Sequence, residues 1–337
     1  MRFTIFDANN LVHRAWHSLH RRVKGFTDSE YSQRKMVMEN LFQTVRMCNN
    51  HFYPDCLVFC FDSRSWRKSL FDDYKISHKA RIKTPDEITR NDIIHKIINE
   101  FADFIKTTNN IFLERSGAEA DDFIAFWTFM HPEDEHIIIS GDSDFKQLVK
   151  AGVSLFAPVP KKMYTVRGVF YQDNKIDDTQ IEYLFDEVWK ISFEKDGTRE
   201  VFDPGWELFQ KIIRGDDNDD VPTCFPRVQT KTMKKVYYGS LLDWNNFMNG
   251  DVQTEEGPRP LAQLYDFNRR LIDLNYQPDD IKEMLIEAIQ EASKLKNNEM
   301  VEYNFTKICT KYKMTRLMNN ANDYITIFNK RLAGEKL

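Results

Sequence analysis

The stretch Ile137–Asp144 constrains the fold most strongly, because it joins an apolar run directly to two carboxylates. Three consecutive isoleucines are followed by Ser140, Gly141, Asp142 and Asp144. A short apolar run of this kind is typical of a strand buried on both faces of a parallel sheet. Open parallel sheets carry their sites at the carboxyl ends of the strands. The stretch therefore predicts a functional site that contains Asp142 and Asp144.

Seven further acids are placed in the same way. Two of them, Asp7 and Asp62, end apolar runs. Three stand at the start of a helix with apolar periodicity: Glu119, Asp121 and Asp122. The last two, Asp216 and Asp219, follow the segment Ile212-Ile-Arg-Gly215. Carboxylates gathered at one end of a sheet would repel one another and take up protons unless cations held them. Oxygen ligands in this number suit two Mg²⁺ ions roughly 4 Å apart, with Mn²⁺ as a substitute.

Length and composition bound the fold class. At 337 residues and 42% hydrophobic content, the chain can bury one large core and a smaller helical one. Strands that alternate with helices predict an α/β fold, with a mostly parallel central sheet flanked by helices. The chain has no run of about 18 apolar residues, so we expect a cytoplasmic protein without membrane contact. The five cysteines lack paired metal-ligand spacing and are predicted to be reduced core thiols.

A basic stretch follows Asp62. Seven basic residues, Arg64, Arg67, Lys68, Lys75, Lys79, Arg81 and Lys83, are interleaved with Trp66, Phe71, Tyr74 and His78. Basic residues mixed with aromatics suit a phosphate backbone and unstacked bases. The alternative is a solvated helix face, but the position directly after an acidic strand end favours nucleic acid. The net charge of -5 conceals this segregation of charge.

The order and approximate spacing of the acidic motifs resemble those of the 5′ nuclease (flap endonuclease) superfamily. The motifs are Asp7, Asp62, Glu119-Ala-Asp-Asp122, Ser140–Asp144 and Gly215–Asp219. Within the superfamily, the ribonuclease H type 5′ to 3′ exonuclease of T-even bacteriophages is most similar. That likeness extends to Trp66-Arg-Lys68, Tyr74-Lys75 and Leu271–Pro278.

The resemblance implies a 5′ to 3′ exonuclease and flap endonuclease that cuts DNA and RNA/DNA duplexes at a 5′ end or flap. It implies two-metal phosphodiester hydrolysis, removal of RNA primers (ribonuclease H activity) during phage replication, and a host-cytoplasmic location. It also implies a helical arch within residues 64–95. A monomer is expected, with a single-strand-binding protein or a sliding clamp as a replication partner.

The resemblance also assigns site residues. Asp7, Asp62, Glu119, Asp121 and Asp142 would surround the first metal, Asp144, Asp216 and Asp219 would hold the second, and Asp122 could belong to either. Lys75 would lie beside the scissile phosphate. Lys75 and Asp142 are the two predicted catalytic residues. The predicted nucleic-acid contacts are Arg64, Arg67, Lys68, Tyr74, Lys75, His78, Lys79 and Arg81 in the arch, and Arg227, Lys231, Lys234 and Lys235 beyond it.

Two positions depart from the superfamily pattern. His78 stands where the family often has an arginine, which leaves His78, Lys79 or Arg81 as the second arch cation. Residues 220–227 lack the glycines of the usual helix-hairpin-helix, so the resemblance leaves open whether a potassium site exists there.

The predicted organisation has four parts. Residues 1–160 form the nuclease core with the arch, 161–210 an insertion, 211–257 the second metal motif with a duplex-binding helical region, and 258–337 a C-terminal helical region. In the insertion, Asp196-Gly197 between alternating runs predicts a β-hairpin.

Two other functions are compatible with acids at strand ends. One is a PIN-like endoribonuclease, although such domains are shorter and lack the basic arch and the Asp216, Asp219 pair. The other is a non-catalytic nucleic-acid scaffold, although every carboxylate position of the superfamily is filled.

Overall fold

The computed structural model describes residues 1–26, 28–76, 84–172, 181–185, 187–194, 197–254, 257–294 and 297–332. The arch residues His78, Lys79 and Arg81, and Asp196 of the predicted hairpin turn, lie outside these ranges.

The centre of the protein is a nine-stranded sheet in the order β3-β2-β1-β4-β5-β6-β7-β9-β8. Its strands are β1 (Arg2–Asp7), β2 (Cys56–Cys60), β3 (Ile111–Leu113), β4 (Glu135–Ile139), β5 (Val153–Ala157), β6 (Lys162–Thr165), β7 (Gly168–Tyr171), β8 (Ile181–Leu184) and β9 (Glu187–Ile191). The first five strands are parallel, and β6 to β9 extend the sheet in antiparallel pairs. A separate ribbon joins β10 (Asp251–Thr254) to β11 (Gly257–Pro260).

Helices cover both faces of the sheet. They are α1 (Ala8–Arg22), α2 (Glu30–Phe52), α3 (Arg67–Leu70), α4 (Pro85–Lys106), α5 (Ala120–Met130), α6 (Pro204–Arg214), α7 (Thr230–Tyr237), α8 (Leu241–Met248), α9 (Leu261–Ile272), α10 (Asp279–Ala292), α11 (Val301–Lys311), α12 (Thr315–Met318) and α13 (Ala321–Phe328). A 3₁₀ helix spans Ser143–Leu148. The predicted α/β class with a mainly parallel sheet is confirmed.

The two faces of β1 show why its interior residues are all buried. Phe3 and Ile5 pack in the layer that contains α5 and α10, whereas Phe6 packs in the layer that contains α1, α2 and α4. Successive side chains of a strand point to opposite faces, so every interior position of a strand covered on both sides is buried, including that of Thr4 in β1. The C-terminal helices divide between these layers: α10 joins the first, while α11 and α13 join the second.

The segment 161–210 continues the main sheet. The chain reverses direction at the predicted hairpin. This is shown by the Glu200 N–H, which donates to the Ser192 carbonyl over 2.8 Å. Among the described residues of this turn, Phe193 and Arg199 form an isolated bridge, while β8 and β9 pair as antiparallel neighbours within the sheet. Trp189 is fully buried, as expected for a residue that packs the segment onto the domain.

The five cysteines are free and buried, in agreement with the prediction of reduced core thiols. Burial raises the pKa of the Cys56 thiol to about 12, so it stays protonated near neutral pH. None of the helices in the described ranges is both long and apolar enough to cross a membrane.

Candidate active site

Three carboxylates lie at the carboxyl ends of adjacent parallel strands. Asp7 ends β1 and caps α1 by accepting the Asn10 N–H over 3.1 Å. Asp62 follows β2 and accepts the Ala120 N–H over 2.9 Å. Asp142 follows β4 and caps the 3₁₀ helix. Since β2, β1 and β4 are neighbours in parallel register, these side chains meet at one edge, called here the acidic edge.

Ser140 links two of these acids. Its hydroxyl donates to Oδ2 of Asp7 over 2.9 Å and accepts the N–H of Asp142 over 3.0 Å. Burial, followed by the charges of Asp62 and Asp142, raises the pKa of Asp7 to about 7. The protein therefore holds Asp7 where its negative charge is unfavourable unless a cation is nearby.

The N-terminus of α5 supplies three more acids. One carboxylate oxygen from each of Glu119, Asp121 and Asp122 lies within 4.8 Å of the others. Oδ1 of Asp121 is buried without a hydrogen-bond partner. Burial, and then the neighbouring carboxylates, raise the pKa of Asp121 well above its usual value. A buried carboxylate oxygen without a donor fits a cation ligand, and the all-oxygen donor set fits Mg²⁺ or Mn²⁺.

Asp122 differs from Asp121 because protein donors already occupy both of its oxygens. Arg67 donates to Oδ1 over 2.9 Å and to Oδ2 over 3.1 Å, while Trp66 Nε1 and the Glu119 N–H complete the set. Arg67 also donates to Oε2 of Glu119 over 3.1 Å and to the Leu271 carbonyl over 2.9 Å. Arg67 and Asp122 therefore form a buried ion pair that also holds Glu119 in position through hydrogen bonds.

The structure buries two of the residues that were predicted to contact nucleic acid. Arg67 and Tyr74 are each only 1% exposed. Their basic and aromatic characters match the pattern of a nucleic-acid surface, but their polar atoms are used within the protein. The Tyr74 hydroxyl lies 3.0 Å from Oδ2 of Asp219 and 3.2 Å from Oε2 of Glu119.

Lys75 bridges two acids that are far apart in sequence. Its Nζ lies 2.6 Å from Oε1 of Glu119 and 3.6 Å from Oδ1 of Asp219. The Lys75 backbone is left-handed, with a φ of 55°, and its N–H donates to the Asp219 carbonyl over 3.0 Å. Burial alone would raise the pKa of Glu119, but Lys75 and Arg67 outweigh it and leave that pKa below its usual value.

A second acidic group surrounds Lys211. The Lys211 ammonium pairs with Asp144 and lies 2.6 Å from Oδ2 of Asp216. Burial, and then the charge of Asp142, raise the pKa of Asp144 to about 6. Lys211 was missed by the sequence analysis, and its only signal was its place on the helix just before the Gly215–Asp219 motif.

Gly215 allows the second group to form. Its φ is 73°, and a Cβ at this position would lie 2.3 Å from the Val221 carbonyl oxygen. The close approach lets Asp216 and Val221 exchange two backbone hydrogen bonds of 2.9 Å. The tight loop turns Asp216 and Asp219 back toward the sheet.

The remaining predicted nucleic-acid residues lie on two surfaces. Arg64 is exposed beside the acidic edge, and Lys68 is partly exposed. Arg227, Lys231, Lys234 and Lys235 are exposed on and before α7. The structure thus brings all nine predicted carboxylates to two adjoining groups, and it leaves the α7 basic residues outside them.

Comparison with known proteins agrees with this arrangement. Residues 2–178 match the 5′-3′ exonuclease, N-terminal resolvase-like domain. The fold is similar to that of the bacteriophage T5 flap endonuclease in a pseudo-enzyme–product complex with DNA and metal ions, with a TM-score of 0.57, 16% identity, and coverage of 93% of this chain and 100% of that chain. It is also similar to the T5 5′-exonuclease with bound zinc, with a TM-score of 0.58, 19% identity, and coverage of 87% and 99%.

At these identities the two structures show a shared fold. The family match covers more than half of the 337 residues and includes strands β1 to β7. Among these are β1, β2 and β4, which carry the acidic edge. The chain therefore belongs to the 5′-3′ exonuclease family of nucleases.

Proposed function

We propose that this protein is a 5′ to 3′ exonuclease and structure-specific flap endonuclease that uses two Mg²⁺ ions to cut DNA and RNA/DNA duplexes. In this role it removes RNA primers during phage replication in the host cytoplasm. The observation that carries the proposal is the pair of adjoining acidic groups, joined through Asp142 and Asp144. Their all-oxygen side chains are too crowded to be stable as bare anions.

The residues divide between two metal positions. Asp7, Asp62, Glu119, Asp121 and Asp142 would hold the first ion, and Asp144, Asp216 and Asp219 the second. Asp122 is less suited than Asp121, since donors from the protein occupy both of its oxygens. When bound, the ions supply Lewis acidity and offset charge on the phosphate oxygens.

The chain's own residues supply orientation and further charge. Arg67 and Ser65 hold Oε2 of Glu119, at 3.1 and 2.6 Å, so that this carboxylate keeps one orientation. Lys75 is one-third exposed between the two acidic groups, where its ammonium can reach a phosphate oxygen. A fixed positive charge at that place stabilises the negative charge that develops during hydrolysis.

Substrate binding would use exposed basic side chains next to the site. Arg64 borders the acidic edge, while Arg227, Lys231 and Lys234 offer phosphate contacts for the downstream duplex. A single-strand-binding protein or a sliding clamp would recruit the enzyme, which we expect to act as a monomer.

The test compares the intact chain with Asp142→Asn on internally labelled nicked, flapped and RNA-primed duplexes, with Mg²⁺ and with chelator. We expect metal-dependent cutting that starts at the 5′ end, with a loss of at least about 10³-fold in the variant and retained binding. Internal cutting of single-stranded RNA would instead indicate a PIN-like endoribonuclease. Metal-independent binding without any cutting would indicate a scaffold.

A further inference from the structure

A second set of basic side chains lies on α1 and α4, apart in sequence from the α7 residues. It consists of exposed or partly exposed basic residues on α1 and α4, called here the helix 1 basic face: His13, His17, His20, Arg21, Arg90 and His95. The α1 members are three or four residues apart, so they share one side of the helix. The face contains four of the eight histidines in the chain.

The charged groups that act on His13 and His17 are all basic. The groups whose charges act on His13 are His17, His95 and Arg90, and those that act on His17 are Arg90, Arg21 and His20. No carboxylate in the described part of the chain pairs with any residue of the face. Like charges held together without acids raise the local potential and attract anions.

The face is continuous with the acidic edge. Helix α1 begins directly after Asp7, and its Arg14 crosses over Gly141, where a Cβ would lie 2.9 Å from the Arg14 Cδ. Nη1 of Arg14 is buried without a hydrogen-bond partner. Arg90 lies on α4, which starts at Pro85 at the end of the predicted arch. A polymer of phosphates that meets the acidic edge can therefore continue onto α1.

The shape and chemistry favour one unpaired strand over a duplex. The distance from His13 to Arg21 along the helix is about 12 Å, which is long enough to contact several successive phosphates of one strand. Imidazole rings can also stack on unpaired bases, which a duplex does not offer.

We propose that the helix 1 basic face binds the backbone of the single-stranded 5′ segment of the substrate. The inference rests on the proposed function, because only an enzyme that acts at 5′ ends would meet such a segment. The α7 residues would then hold the duplex, and α1 the strand that leaves it.

The test measures binding with chelator present, so that no substrate is cut. Fluorescence anisotropy would compare one duplex without a flap and the same duplex with a single-stranded 5′ flap, as a function of salt. We expect Arg21→Gln/Arg90→Gln to weaken flap binding on the order of tenfold near 0.1 M salt and to lower its salt slope by about 1.4, equal to two lost phosphate contacts. Binding of the flapless duplex should not change.

A matched control carries the same change in charge elsewhere. Lys294→Gln/Lys307→Gln alters two exposed lysines outside the face and should leave flap binding unchanged. A second variant, His13→Asn/His17→Asn/His20→Asn, tests the imidazoles. Burial, and then the neighbouring basic groups, lower the pKa values of His13 and His17 below the usual 6.5. The wild type should therefore bind the flap more tightly at pH 5 than at pH 8, because protonated histidines add charge, and this variant should lose that gain.

The outcomes separate the inference from the proposed function. Equal losses for flap and flapless duplex, or equal losses in the control, would overturn the assignment to a single strand. If the wild type binds the flap and both face variants bind it equally well, the role of the helix 1 basic face is overturned, and the proposed nuclease function is not affected. Failure of the wild type to bind either substrate would instead count against the proposed nuclease function.

Discussion

Arg67 and Asp122 form a buried two-point ion pair, with Nη2 2.9 Å from Oδ1 and Nη1 3.1 Å from Oδ2. The adjacent acid, Asp121, is held less closely, since its buried Oδ1 has no hydrogen-bond partner and lies 3.8 Å from Nη1 of Arg67. Two successive acids of one helical turn therefore have different roles. Asp122 supports the site from inside, and Asp121 is open to a cation.

Substitution of these two acids should separate stability from metal binding. Asp122→Asn breaks the buried pair with Arg67, and we expect it to lower the free energy of unfolding by about 3 to 5 kcal/mol. Asp121→Asn removes a repelled carboxylate and should change that energy by less than about 1 kcal/mol, while it reduces stabilisation by Mn²⁺. Urea unfolding with and without Mn²⁺ measures both effects. Similar losses in metal-free stability for the two variants would contradict the assignment.

Lys211 should compete with a divalent cation for Asp144 and Asp216. Lys211→Met removes the ammonium between these carboxylates, so the metal-free protein should melt at a lower temperature because their repulsion is no longer offset. The Mn²⁺ concentration that gives half of the thermal stabilisation should fall. Lys146→Met is the control, because Lys146 pairs with Glu207 over 3.2 Å and with neither of these acids. An unchanged Mn²⁺ dependence would show that Lys211 does not compete with the ion.

Lys75 should act on the rate of cleavage more than on binding. Removal of one charge-stabilising donor costs about 10²- to 10³-fold in rate, and we expect Lys75→Met to slow single-turnover cleavage by that factor. Its dissociation constant for a flapped duplex should stay within about threefold of the wild type. Arg64→Met, at an exposed position near the site, should show the reverse, with weaker binding and a normal rate at saturation. A Lys75 variant that loses only affinity would assign Lys75 to substrate binding.

The metal-free protein should lose stability as the pH rises. The pKa of Asp7 in the folded state is about 7, above its ordinary value of 3.8. The contribution of the Asp7 carboxyl to the free energy of unfolding is therefore complete below about pH 4 and is lost as the pH passes through 7. The change is at most about 4 kcal/mol.

Asp7→Asn should remove this part of the pH dependence and stabilise the metal-free protein at pH 8. Urea unfolding at pH 5 and pH 8 measures it, with Asp103→Asn as the control at an exposed site. Saturating Mg²⁺ should also reduce the dependence in the wild type, since a bound cation favours the ionised carboxylates. If the metal-free wild type had the same free energy of unfolding at pH 5 and at pH 8, the elevated pKa of Asp7 would be ruled out.

The sequence alone determined the elements that carry the acids. The isoleucines before Ser140 and the apolar run before Asp7 require strands covered on both faces, and parallel strands place their carboxyl ends at one edge. The acidic edge therefore followed from local pattern and sheet direction, with no need for the three-dimensional structure.

Only the tertiary structure decided how the basic residues are used. Arg67 has the sequence pattern of a nucleic-acid contact, yet α5 and α9 enclose it and supply Asp122 and the Leu271 carbonyl as its partners. Lys211 lies on an ordinary amphipathic helix, and only the packing of α6 against the 3₁₀ helix brings it to Asp144. Strand ends follow from short-range periodicity, but the partner of a long flexible cation depends on which distant acid the fold brings within reach.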